Sequence, residues 1–250
     1  MELVVIGSGS AYPERAGQAS SSYLVRDGAS ALLLDLGQGS FGGLAQEIEP
    51  SSLQAVAISH LHPDHFVDLV ALRHYLRYEF EPPRRLPVYA APGLTTRLDG
   101  LFSEPGFTAA SLDVEPHLLG TRSIGPFSLE AKRVTHTADS HAFRVSRIAA
   151  PEAPGLVYSG DCGRADDLRD LIRAGDTLLT EVSFGPGPVP VDELHLDGEA
   201  VGRLAAETGP ARVLLTHLQM HRDRVATVEH VGRRFDGPAA LVEDGDRFIV

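Results

Sequence analysis

The sequence predicts an α/β protein built as a four-layer α/β/β/α sandwich, and three observations predict it. Short β-branched and aliphatic runs recur from one end of the chain to the other. The first few follow one another with only turn residues between them, as locally paired strands do. Later runs alternate with helical patterns in both halves of the chain. Two sheets packed face to face, with helices outside, bury all of these apolar faces at once.

The strand candidates, in order, are ELVVIG, SSYLV, ALLLDLG, AVAIS, LPVYA, FSLEAKRV, AFRVS, LVYSGD, TLLTE, ARVLLTH, AALVE and RFIV. Helical periodicity marks FVDLVALRHYLRYEF, ADDLRDLIRAG, DGEAVGRLAAETG and VATVEHVGRRF, the first expected to begin at Phe66. DDLRDLIRAG has an acidic first turn and a glycine after its last apolar residue. DGEAVGRLAAETG has Asp197 and Glu199 at its start and Gly209 past its end, so both helices carry capping signals. EPPRRLP and SFGPGPVPVDE read as loops too short to separate domains. With no repeat, low-complexity tract or long linker, residues 1–250 read as one domain.

Composition narrows the function. The start, MELVVIGSGS, has a short apolar run broken by glycines and no basic lead, so neither a secretory signal nor a membrane span is expected, and the protein is expected to stay in the cytoplasm. The lone cysteine, Cys162, excludes an intramolecular disulfide and every cysteine-based zinc cluster, leaving histidines and carboxylates as metal ligands. A formal net charge of -12, from 22 basic against 34 acidic residues, opposes the basic footprint of a protein that grips many phosphates. Long RNA or DNA is therefore disfavoured as a partner, while a small anion is not.

The stretch SHLHPDHFVDL, after the apolar run AVAI, places His60, His62, Asp64 and His65 within six positions of a strand-to-helix loop. Alternate residues of an extended chain point the same way, so His60 and His62 share a side. Four buried polar groups without partners would be costly, whereas a divalent cation satisfies them together. Further candidate ligands stand at other strand ends: His136 in VTHTADS, Asp161 in LVYSGD and His217 in ARVLLTH. Strand ends are where mixed folds assemble their sites. A lone histidine after a strand is ordinarily a surface or hydrogen-bonded residue, and the HxHxDH cluster is what reverses that reading.

This pattern resembles the metallo-β-lactamase superfamily of metal-dependent hydrolases over nearly the whole chain. The resemblance implies the metallo-β-lactamase fold. It implies His60, His62 and His136 as ligands of one ion, Asp64, His65 and His217 of a second, and Asp161 bridging them. Zinc is the expected metal, with manganese or iron as alternatives. Two such ions about 3.5 to 4 Å apart would share a hydroxide and clamp an in-line displacement. Two dications set against Asp64, Asp161 and that hydroxide leave about +1 in the pocket, which favours an anionic substrate even on an acidic protein.

MELVVIGSGSAYPERAGQASSSYLV, LLLDLGQG and the His195 of ELHLDGEAVG are similar to the ribonuclease Z-like branch. There a histidine at the head of this helix acts as general acid or transition-state stabiliser, which implies His195 as a catalytic residue alongside Asp64. ISHLHPDHFVDLVALRHYLRY, VTHTADSHAFRV, LVYSGDCG and TEVSF resemble, within that branch, the atypical class II cyclic-nucleotide phosphodiesterases. Ribonuclease Z carries a tRNA-gripping arm between the isolated histidine and the Gly-Asp strand; here only 25 positions separate His136 from Asp161, too few for one. The expected activity is a dinuclear phosphodiesterase on small phosphodiesters such as cyclic nucleotides. Alternatives are an RNA 3′-end endonuclease, a lactone, thioester or lactam hydrolase, and a non-catalytic metal-stabilised nucleotide sensor. The branch also allows a homodimer.

Cys162 and His141 depart from the family pattern, the first read as a buried thiol behind a ligand and the second as a loop-lining residue. GSGSAY lacks the third glycine and the lysine of nucleotide loops and reads as a tight turn. Arg73 and Arg77, four apart, fit a phosphate contact or a solvated helical face equally well. Glu181 is a candidate partner for His195 or a ligand. His221 lacks a carboxylate partner motif and is set aside.

Overall fold

A computed structural model describes residues 1–12, 17–117, 120–189 and 194–250; the last part of the SFGPGPVPVDE loop, residues 190–193, lies outside the described residues. The strands are β1 (Glu2–Gly7), β2 (Ser22–Asp27), β3 (Ser30–Leu34), β4 (Ala55–Ala57), β5 (Leu86–Ala90), β6 (Leu112–Pro116), β7 (Gly120–Ile124), β8 (Phe127–Val134), β9 (Ser140–Arg147), β10 (Leu156–Tyr158), β11 (Thr177–Glu181), β12 (Arg212–Thr216), β13 (Ala239–Leu241) and β14 (Arg247–Ile249). They form two seven-stranded sheets, ordered β14-β1-β2-β3-β4-β5-β6 and β13-β12-β11-β10-β9-β8-β7. Both are mixed. In the first, β14, β1, β2 and β3 pair antiparallel and β3 to β6 run parallel; in the second, β7 to β10 pair antiparallel and β10 to β13 run parallel.

Alternation along each strand sets the layers. Leu3 and Val5 of β1, with Leu32 and Leu34 of β3, face Phe127, Leu129, Phe143 and Tyr158 of the other sheet, forming the inter-sheet core. Val4, Ile6 and Leu33 turn the other way and pack under the helices of the first half. Val157, Leu178, Val213 and Leu215 do the same in the second half. A period of two thus splits each strand between two cores, the signature of a sheet covered on both faces. The covering helices are α1 (Ser40–Glu47), α2 (Pro63–Phe66), α3 (Leu69–Tyr78) and α4 (Leu94–Phe102) on the first sheet, with α5 (Gly198–Thr208) and α6 (Arg224–Gly232) on the second. The four-layer α/β/β/α arrangement expected from the sequence is the one observed. Among the described residues no helix is long and apolar enough to cross a membrane.

Several elements differ from expectation. The helix expected from Phe66 is two: α2 starts at Pro63, whose missing N–H and fixed φ suit a first helical turn, and α3 starts at Leu69. Between them, Asp68 turns its carboxylate to the Phe41 N–H and its N–H to the Leu36 carbonyl, interrupting the helix. ADDLRDLIRAG forms only a short 3-10 turn, Ala165–Leu168. There Asp167 accepts from Thr135 N–H, and Asp176 accepts from the Arg173 and Gly155 N–H groups while pairing with Arg144, so the chain is pinned by side chains before a full helix closes. β6 and β7 were not apparent as strands because polar residues dominate these edge segments, and α1 and α4 because glycines and threonines dilute their helix propensity.

Candidate metal centre

Every predicted metal ligand follows a strand. His60, His62, Asp64 and His65 lie on the loop and first helical turn after β4, His136 follows β8, Asp161 follows β10 and His217 follows β12 directly. The structure brings all seven together. His60, His62, His136 and Asp161 offer ligand atoms within 4.8 Å of one another, as do Asp64, His65 and His217; a third group joins Asp161, His195 and His217. Four of these residues come from the first sheet's loop and three from the second sheet, so the cluster sits across the mouth of the sandwich.

The histidines are aimed from behind. The Nδ1 of His65 meets the Asp35 carboxylate at 2.8 Å, and that of His136 meets the Leu194 carbonyl at 2.7 Å. Nδ1 of His217 lies 2.9 Å from Ser183 Oγ, and Nδ1 of His60 lies 3.2 Å from Ser59 Oγ. In each ring the outer nitrogen is occupied, which turns Nε2 toward the centre. There Nε2 of His65 and of His217 are 3.3 Å apart, and Nε2 of His60 and of His136 lie 2.9 and 3.2 Å from Nδ1 of His62. Imidazole nitrogens facing each other this closely have no protons to share among them all; their lone pairs converge on positions suited to a cation.

Asp161 spans the two groups. Its Oδ2 lies 3.8 Å from His60 Nε2 and 3.6 Å from His136 Nε2, while Oδ1 lies 3.3 Å from His65 Nε2 and 3.5 Å from His217 Nε2. Oδ1 is buried and accepts no hydrogen bond among the described residues. A buried carboxylate oxygen without a donor is costly unless a cation fills that role. This orphaned atom, with the inward-facing nitrogens, fits a pair of divalent ions.

The electrostatics carry the same signature. Burial alone would raise the Asp161 carboxyl, but the neighbouring His217 and His65 hold it far below the usual carboxylate range. Burial and then the charge of His65 push His60 down, and burial and His136 lower His62. His65 and His217 go the other way: burial would lower both, yet Asp161, aided by Asp35 for His65 and Asp64 for His217, raises them. The Asp161 carboxylate thus raises the two histidines nearest its Oδ1, while burial lowers the histidines of the other group.

Two carboxylates behind the centre had little or no assigned role in the sequence reading. Asp35, at the end of β3, is fully buried in the left-handed region at φ 59°. It accepts from Ser59 N–H at 2.6 Å, Ser59 Oγ at 2.7 Å, Tyr158 OH at 2.7 Å and His65. Its signal was available: like Asp161, it is a charged residue closing an apolar strand, in LLLDLG. Glu181, at the end of β11, accepts from Cys162 N–H, Ser183 N–H, Ser183 Oγ and, at 3.0 Å, His195 Nδ1. His217 also takes a left-handed backbone, φ 59°, which costs a non-glycine residue about 1 to 2 kcal/mol.

The remaining candidates lie elsewhere. His141 is buried against His117, ring centroids 4.6 Å apart, beneath the Ser59 carbonyl rather than in the centre. Cys162 is buried behind Asp161 and donates to the Arg164 carbonyl, its thiol pushed up by burial and by Glu181. Arg73 and Arg77 do not share a phosphate site: Arg73 is buried over the Phe107 ring at 3.9 Å and donates to the Phe107 carbonyl. In GSGSAY, Ser8 spends its N–H and hydroxyl on the Asp244 carboxylate and Gly9 its N–H on the Ala19 carbonyl, so these donors are not available to cradle a phosphate. His221 is exposed, outside all three groups.

Residues 33–218 match the family model described as Beta-lactamase superfamily domain. An uncharacterized protein of Mycobacterium leprae is 32% identical over 243 residues, spanning 92% of this chain and 82% of that protein. A ribonuclease Z of Mycobacterium bovis is 34% identical over 206 residues, 73% of this chain and 70% of the relative. The crystal structure of the metallo-beta-lactamase fold protein YhfI from Bacillus subtilis superimposes with a TM-score of 0.87 at 23% identity, covering 99% of this chain and 98% of that one.

Proposed function

The chain belongs to the beta-lactamase superfamily, and from that premise we propose that it is a dinuclear metal-dependent phosphodiesterase acting on small phosphodiesters such as cyclic nucleotides. The observation that carries the reading is the split of Asp161 between two groups of inward-facing histidine nitrogens. In this reading His60, His62 and His136 would hold one ion and Asp64, His65 and His217 a second, with Asp161 available to both. Zinc suits these nitrogen and carboxylate donors, with manganese or iron as alternatives. When bound, two divalent ions supply Lewis acidity toward a phosphoryl oxygen and activate water for attack.

The protein's own groups do the rest. Glu181 accepts the Nδ1 proton of His195 and fixes the ring, so that Nε2 exchanges a proton with the substrate. Protonation of the leaving oxygen by His195 suits a phosphodiester, whose leaving group gains charge as the bond breaks. His195 stands 3.8 Å from Asp161 Oδ2, next to the centre it would serve. The acidic chain disfavours a long polyanion, and the stretch from His136 to Asp161, an offset of 25 positions, is taken by β9, β10 and their turns, with no inserted arm. Action in the cytoplasm belongs to the same reading.

Purified protein loaded with zinc or manganese should hydrolyse bis-p-nitrophenyl phosphate and cyclic AMP. No turnover of either at two ions per chain refutes the phosphodiesterase reading. The ribonuclease Z relative gives one competing reading specific support, RNA 3′-end cleavage, and a precursor tRNA cleaved faster than either small substrate would establish it instead.

A further inference from the structure

The turn after β13 crosses from the second sheet to the first. Val242 N–H donates to the Leu215 carbonyl of β12 at 2.9 Å, and Gly245 N–H donates to the Val5 carbonyl of β1 at 2.8 Å. At the apex stands Asp244, which touches none of the candidate ligands. Its Oδ1 accepts from Ser8 N–H at 2.9 Å and Ser8 Oγ at 2.8 Å, and its Oδ2 accepts from Ala19 N–H at 2.7 Å. One carboxylate thereby ties both ends of the β1–β2 loop to the C-terminal turn.

The restraint passes to the metal centre in one further step. The Ser8 carbonyl accepts from the His217 N–H at 3.0 Å and from Thr216 Oγ1 at 3.2 Å. His217 is the residue held in the left-handed region at φ 59°, a conformation that persists only where neighbours over-determine it. On its side-chain end the ring is held by Ser183; on its backbone end, by Ser8. Among the described residues, His60 and His136 take their outer partners from other segments, Ser59 and Leu194.

We infer that Asp244 is a positioning residue for the second half of the centre: by clamping Ser8 it holds the His217 backbone, and so sets how tightly the Asp64, His65 and His217 group takes an ion. The inference rests on the reading of a two-ion centre. It makes Asp244 selective, acting on one ion and leaving the other alone. A residue that merely stabilised the fold would weaken both equally or neither. The carboxylate opens onto a surface cleft of about 210 Å³ lined by Gly17, Gln18 and Arg224, so shortening it leaves no buried void.

The test is calorimetric titration of metal-stripped protein with zinc, on wild type and on Asp244→Ala, Asp244→Asn and Ser8→Ala. His217→Ala and His136→Ala mark which binding step belongs to which half. In Asp244→Ala the step lost in His217→Ala should weaken about ten- to a hundredfold, the size typical of losing an outer partner, while the other holds within about twofold. Asp244→Asn, which keeps one acceptor for Ser8, should lie between, and Ser8→Ala should show a smaller loss at the same step. Should Asp244→Ala not fold, the other two are read in the same way. Unchanged steps, or equal weakening of both, overturn the role of Asp244. A wild type that binds fewer than two ions per chain fails the two-ion reading itself, and shows it before any variant is compared.

Discussion

Asp35→Asn is the sharpest perturbation the structure offers, because it changes one atom and keeps the shape. Asn tolerates the left-handed backbone at φ 59° as Asp does, so the chain need not move. The four donors around Asp35 then decide the outcome. If the new NH₂ takes the place of Oδ1, it faces the Ser59 N–H, a backbone donor that cannot turn away. That leaves a buried donor unmet at about 1 to 3 kcal/mol. If it takes the place of Oδ2, the Ser59 and Tyr158 hydroxyls can rotate to accept, but His65 must present a bare Nδ1 and move its proton to Nε2. That proton then points at Asp161 Oδ1 and His217 Nε2, where a ligand lone pair is needed. The expected loss is about ten- to a hundredfold in affinity for one ion, or about 1.4 to 2.7 kcal/mol. Urea denaturation of the metal-free protein and a zinc titration read the two branches separately. A variant that matches wild type in both, within about 0.3 kcal/mol and twofold, refutes the account of how His65 is aimed.

Three further outcomes follow from the same geometry. Stripping the metal with a chelator should lower the melting temperature, and restoring zinc at a hundredfold over its Kd should return about 2.7 kcal/mol per ion; a melting temperature indifferent to zinc or manganese contradicts a metal centre. His195→Ala should cut kcat on bis-p-nitrophenyl phosphate by about 10²- to 10⁴-fold with both ions still bound; loss of an ion would make His195 a ligand, in line with its grouping beside Asp161 and His217. Burial holds His117 at about 4, the Ile58 carbonyl bonding its Nε2 at 2.7 Å and His141 lying alongside. Its ordinary value is near 6.5, so the unfolded chain takes up that proton first; the stability from keeping His117 neutral is complete above about 6.5 and drains away toward about 4, by roughly 3 kcal/mol at most. Urea midpoints across that window should fall less steeply in His117→Gln, and parallel slopes would exclude His117 as the source.

The residues that close apolar strands were legible because two patterns coincide there: a period of two that ends, and a side chain that cannot stay buried alone. His136, Asp161 and His217 were each unremarkable singly, and the cluster at His60 gave them a common destination. What lay out of reach was which distant groups the residues behind the centre would meet. Asp35 meets partners 24, 30 and 123 positions away, and Asp244 reaches Ser8 across 236, distances at which no local pattern survives. Elements built from glycine, threonine and alternating polar residues were missed for a related reason. In α1 and β6 the tertiary surface supplies what local propensity withholds.

The division of ligands has an energetic consequence for the fold. His60, His62, Asp64 and His65 are carried by the first sheet, and His136, Asp161 and His217 by the second, with the inter-sheet core beneath them. Each proposed ion therefore has ligands on both sheets: the first through His136 and Asp161, the second through Asp161 and His217. Metal binding free energy in such a site is also sheet-docking free energy, because separating the sheets would dismantle both ligand sets. Without metal, the same mouth holds crowded imidazoles and a carboxylate oxygen with no donor, a local cost borne by the apolar contacts below. The sheets should thus be most loosely joined at the site end when metal-free, and hydrogen exchange should show it: amides of Ser59, His60 and Gly160 should gain protection on zinc binding while those of Leu3 and Val25, deep in the sandwich, change little. Uniform protection along both sheets would mean that the ions stabilise the molecule without acting as a clasp between its halves.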